Sequence, residues 1–176
     1  MKAFVSAATF LIAIGAATVA PTALGAPADY TNLPVNPNEV TDSTAYVAAK
    51  PTLNPDGQPG VEVVYSHRDS TRKITDTISV LPDALAASAE LSGTNPAVVT
   101  NIPGGGTQPA PVGTGGKMVT GTSPDGTQSV TVVMFNQGRT ATTIEFSGPA
   151  GDPAPSDLAV EYAQKQDAAI KAAGLV

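Results

Sequence analysis

Cysteine is absent from this 176-residue chain, and so is tryptophan. Without a thiol there is no disulfide framework, thiolate zinc site, iron–sulfur cluster or cysteine nucleophile. Histidine occurs once, as His67, which excludes any site built from several imidazoles. Charged residues make up only 14% of the chain, and 9 Lys and Arg against 15 Asp and Glu leave a net charge of −6. A nucleic-acid binder needs a concentrated positive face, so this balance argues against one. No cofactor and no metal is expected from such a composition.

What is present starts with an address. Lys2 precedes an apolar run from Ala3 to Val19, broken by Pro21 and followed by the small residues Ala23, Gly25, Ala26 and Ala28. Ala26-Pro27-Ala28 fits an A-x-A cleavage pattern, so residues 1–28 read as a secretory signal peptide cut before Asp29. An uncleaved membrane anchor is the competing reading, and the run is short for spanning a bilayer. With no cysteine there is no acylation at a lipobox. The expected location is extracellular or cell-wall, without lipid and without a transmembrane segment once the signal is removed. The remaining chain is long enough for one domain that folds without disulfides.

Residues 29–60 carry Pro34, Pro37, Pro51, Pro55 and Pro59 and read as a loosely structured, proline-rich lead-in. A single domain is expected over 61–176. Val61 to Tyr65 and Lys73 to Val80 read as a strand hairpin, with Asp76 the polar residue on an otherwise apolar side. Pro82 and Asp83 open a helix that carries Leu85 and Ala89 on one face, and Gly93 with Asn95-Pro96 is expected to end it. Ala97 to Ile102 reads as a possible strand, and 103–116 as a flexible Gly/Pro loop. Lys117 to Thr122, Ser129 to Phe135 and Arg139 to Phe146 form a meander. Ser129 to Phe135 is apolar on both sides, which marks a central strand. Ser156 is expected to cap a last amphipathic helix, Asp157 to Ala173, with Leu158, Tyr162 and Ile170 on its apolar stripe. The order predicts an α+β domain: an antiparallel sheet of about five or six strands, one face covered by two helices, the second C-terminal.

The run from Ser123-Pro124-Asp125-Gly126 through Val133, the Gly138-Arg139 hairpin and the Gln164-Lys165-Gln166-Asp167-Ala168 helix resemble small secreted mycobacterial-type proteins. The element order over about residues 60–175 is similar to that of LpqN-type proteins and of the extracellular sensor domains of mycobacterial kinases, whose fold is PsbP/Mog1-like. The resemblance implies a non-enzymatic binding domain of the envelope or its surroundings. It carries over no functional residue.

The residues themselves show little catalytic chemistry. His67 has Ser66, Asp69 and Ser70 as sequence neighbours, but no G-x-S-x-G elbow exists. Gly113-Thr114-Gly115-Gly116-Lys117 fails the spacing of a phosphate loop, and Met118 stands where Ser or Thr belongs. Asp56 and Asp125 lie in Pro-Asp-Gly turns without the further acidic ligands of a calcium loop. One cluster stands out: His67, Arg68, Arg72 and Lys73 gather several of the few basic groups in one hairpin of an acidic protein. They are the candidate contacts for an anion or a partner. The leading reading is a non-enzymatic, monomeric binding domain whose partner is a protein or an envelope component. The alternatives are a carrier holding an apolar, lipid-like ligand between helix and sheet, and a hydrolase using His67.

Overall fold

Eight consecutive residues, Ser129 to Asn136, are buried. Both faces of the strand they form are covered, and that organises the whole molecule. The computed structural model describes residues 29–41 and 44–175, so the expected signal segment lies outside the described residues. The strands are β1 (Tyr46–Ala48), β2 (Thr52–Leu53), β3 (Gly60–His67), β4 (Lys73–Val80), β5 (Gly106–Pro109), β6 (Thr114–Thr122), β7 (Gln128–Gln137) and β8 (Thr140–Pro149). The helices are α1 (Ala84–Asn101), between β4 and β5, and α2 (Ser156–Ala172), at the C-terminal end. All pairings are antiparallel, in the order β1-β3-β4-β8-β7-β6-β5, with β2 also on β3. The α+β class stands, and its sheet has eight strands rather than five or six.

The helices do not share one face, as the sequence suggested. Strand alternation sends Val133 and Phe135 of β7 one way and Val130, Val132 and Met134 the other. The first set packs with Ala159, Tyr162, Ala163 and Ile170 of α2. The second packs with Leu91 and Val98 of α1 and with Ile102. Each fully buried aliphatic or aromatic side chain contributes about 1.5–3 kcal/mol, so β7 is held from both sides.

Helix α1 overrides its local punctuation. It runs through Gly93 and Pro96, and the segment expected as a strand at 97–102 continues it. Proline costs a mid-helix hydrogen bond, but Leu91, Val98 and Ile102 are buried beyond and before it. That packing outweighs propensity. Asp83 caps the helix by accepting from the Ala86 N–H at 2.8 Å. The buried face is Ala87, Leu91, Thr94 and Val98, whereas Leu85, placed on one face with Ala89 from the sequence, is 81% exposed.

Residues 29–41 are better ordered in their contacts than a loose lead-in. They form a strap against α2. Leu33 and Val35 are buried in the α2-side core. Gln166 of α2, fully buried, accepts from the Val35 N–H at 2.7 Å and donates to the Leu33 carbonyl at 2.8 Å. Lys165 donates to the Glu39 carbonyl at 2.8 Å rather than pairing with Glu161. The 103–116 stretch is also structured in part: β5 pairs with β6, and Ala110 and Val112 are buried beside Phe135. Gly116 permits this, because a Cβ there would lie 2.4 Å from the carbonyl oxygens of Ala110 and Val112. Helix α2 starts at Pro155 with no side-chain cap, so Ser156 does not play the expected role.

Candidate functional site

The turn end of the β3–β4 hairpin and the N-terminal end of α2 lie close to each other. Between them is an open-sided cleft of about 290 Å³. Its apolar part comes from three separate pieces of chain: Tyr46 of β1, Phe146 of β8, and the start of α2, with Ala154 and Pro155 before it and Leu158 on its first turn. Phe146 is only 4% exposed and is fixed by an edge-to-face contact with Tyr162, centroids 5.9 Å apart. Tyr46 meets the His67 ring edge to face at 5.3 Å. The register explains this, since Tyr46 is the cross-strand partner of His67 and their side chains stand on one face.

Three of the four basic residues singled out in the sequence line this cleft: His67, Arg72 and Lys73. Arg68 does not. Its guanidinium donates to the Thr44 carbonyl and clips the hairpin turn to the segment before β1. His67 Nδ1 lies 2.6 Å from Asp69 Oδ1. Asp69 also accepts from the Thr71 hydroxyl and N–H, and these bonds, with His67, hold its pKa down at about 2. Among the described residues no serine hydroxyl is hydrogen-bonded to His67, so the Ser66 and Ser70 of the hydrolase reading are not assembled on it. Arg72 reaches across Gly148 to Asp152, pairing with its carboxylate and donating to its carbonyl at 3.3 Å. A Cβ on Gly148 would sit 3.0 Å from the Arg72 guanidinium, so the glycine leaves the passage open.

Lys73 makes no ion pair among the described residues. Its charge partly offsets the burial that raises the Glu145 pKa, while Glu62 adds to the rise. The cleft therefore has an apolar floor and a polar rim, with His67 and Arg72 partnered by exposed aspartates and Lys73 outside any ion pair among the described residues. Such a surface can take an apolar group and hold an attached polar or anionic group at the rim. The carrier reading would place an internal cavity between helix and sheet. Among the described residues the space there is this open-sided cleft. No cluster of acidic residues, histidine and cysteine suited to a metal ion occurs among the described residues. No helix among them is long and apolar enough to cross a membrane.

The sequence could place the basic hairpin but not the cleft. Tyr46, Phe146 and Leu158 are far apart in the chain, and none carries a motif. Asp76, the polar residue on the apolar side of β4, is fully buried and meets the Tyr162 hydroxyl at 3.3 Å. It lies under α2, outside the cleft lining.

No protein-family model matches the sequence, and no curated protein matches it in sequence. Among solved structures, the chain is similar to the extracellular domain of PknH from Mycobacterium tuberculosis. The TM-score is 0.64 at 13% identity, covering 84% of this chain and 97% of that one. At this identity the likeness is one of fold. It agrees with the resemblance to kinase sensor domains read from the element order.

Proposed function

We propose that this chain is an exported, non-catalytic recognition domain, with residues 1–28 removed as a signal, and that it binds its ligand in the cleft between the β3–β4 hairpin and α2. The observation that carries this reading is the cleft itself. It puts Phe146, Tyr46 and Leu158 together with His67, Arg72 and Lys73 on a chain whose net charge is −6. The polar rim, where Lys73 has no ion pair among the described residues, meets an incoming anionic or polar group, and the apolar floor supplies the burial. A volume of about 290 Å³ is at the small end for ligand pockets, so the site takes one apolar group of a larger partner or amphiphile. The likeness in fold to a kinase extracellular domain supports an interaction role.

The test is fluorescence titration with 8-anilinonaphthalene-1-sulfonate, which joins an aromatic body to one anionic group. The expected result is saturable one-site binding to the folded chain. Ala154→Phe, which fills the cleft, abolishes it, and Leu85→Ala, on the exposed face of α1, leaves it unchanged. Equal binding by Ala154→Phe and the parent chain would reject the cleft as the site.

A further inference from the structure

Asp76 sits on β4 beneath α2 with no exposure to solvent, and its Oδ1 has no hydrogen-bond partner. Its other oxygen lies 3.3 Å from the Tyr162 hydroxyl. That same hydroxyl donates to the Val35 carbonyl of the strap at 2.6 Å. A tyrosine carries a single O–H, so these two acceptors compete for one proton. The strap's other hydrogen bonds to α2 among the described residues are the buried pair from Gln166 to Leu33 and Val35 and an exposed one from Lys165 to the Glu39 carbonyl.

We propose that Asp76 and Tyr162 form a proton-controlled latch for the strap of residues 29–41. With Asp76 neutral, the Tyr162 hydroxyl stays on the Val35 carbonyl and the strap is closed. With Asp76 ionised, the hydroxyl turns to the carboxylate, the stronger acceptor. The Val35 carbonyl is then left buried without a donor, and the strap is weakly held. The neighbours on β3, α2, the strap and the flanking strands supply no cation for the charge, and the Tyr65 hydroxyl is itself in hydrogen-bond contact with Tyr162. β3 presents Tyr65, α2 presents Tyr162, the strap brings Glu39 near Tyr65, and the cross-strand neighbours Val63 and Ile144 are apolar. Burial without a cation raises the Asp76 pKa to about 7, so the latch changes state near neutral pH. The proposal does not depend on what the cleft binds.

The experiment is amide hydrogen exchange of the full chain across neutral pH, corrected for the intrinsic pH dependence of exchange. The amides of Leu33, Val35 and Asn36 are read against those of β7. In the parent chain, strap protection relative to β7 is expected to fall by about fivefold as the pH rises through neutrality, the equivalent of one hydrogen bond lost. In Asp76→Asn, permanently neutral, the ratio is expected to stay constant and high. Tyr162→Phe, which removes the contested hydroxyl, is expected to give low protection at every pH. An unchanging ratio in the parent chain overturns the latch, as does the same fall in Asp76→Asn or in Tyr162→Phe. The carboxyl carbon shift of Asp76 in the parent chain is a readout that needs no variant. A carboxyl already ionised well below neutral pH overturns the latch too.

Discussion

Replacing Gln166 by Met tests how the strap and α2 depend on each other. Gln166 is polar, fully buried, and spends both ends of its amide on the backbone of residues 33 and 35. Methionine has similar volume and similar helix propensity, so repacking alone costs less than about 1.5 kcal/mol. The larger effect is the loss of partners for the Val35 N–H and the Leu33 carbonyl. Each buried backbone group left unsatisfied costs about 1–3 kcal/mol, or about 2–6 kcal/mol for the pair. The strap has a way out, which sets a ceiling. If it lifts off α2, those groups reach water and the cost becomes the lost burial of Leu33 and Val35 instead. The expected result is therefore a loss of about 2–4 kcal/mol in urea unfolding at fixed pH. It comes with faster amide exchange in residues 29–41 and unchanged exchange in β7. A loss below about 0.5 kcal/mol with strap exchange unaltered would refute the reasoning, because the two bonds would then contribute nothing net.

Four further outcomes are expected. The Asp76 pKa is raised from 3.8 to about 7, so the folded state binds a proton that the unfolded chain has already released. Stability from this group is fully present below about pH 4, falls by about 4 kcal/mol toward pH 7 and then levels off. Asp76→Asn should flatten most of that slope in unfolding measured across this range. The exposed aspartates with lowered pKa values, Asp29, Asp69 and Asp125, act at the acid end and leave this window alone. Ile170→Ala, at a fully buried position of α2, should cost about 2–5 kcal/mol in denaturant unfolding. Gly116→Ala should cost at least about 1–3 kcal/mol, because its Cβ collides with two carbonyl oxygens of the β5–β6 connection. Arg72→Ala should change stability by less than about 1 kcal/mol, since the Asp152 pair is exposed. It should nevertheless weaken binding of the anionic fluorescent probe several-fold in the same titration.

The sheet was legible where its signal was local. Ser129 to Phe135 announced a central strand because both of its faces are apolar, and Lys73 to Val80 announced its alternation and the misplaced Asp76. The C-terminal helix was legible from its stripe, although Ala159, Ala163 and Gln166, which that stripe does not include, are buried too. Helix α1 was misread because Gly93 and Pro96 are stop signals only where no tertiary packing opposes them, and here Leu91 and Val98 do. The strap and β5 were hidden behind proline and glycine. Their order comes from contacts with distant residues, such as Gln166 with Val35 and Gln164 with the Pro111 carbonyl. The site was half legible. His67, Arg72 and Lys73 are neighbours in sequence, whereas Tyr46, Phe146 and Leu158 meet them only through strand register and the docking of α2.

The central claim is that the cleft between the β3–β4 hairpin and α2 is where this domain meets its ligand. Amide chemical-shift mapping during titration with 8-anilinonaphthalene-1-sulfonate tests it most directly. The account predicts saturable shifts concentrated at Tyr46, His67, Arg72, Lys73, Phe146 and Leu158, with the outer face of α1 silent. Shifts centred on α1, or shifts that scatter without saturating, would contradict it.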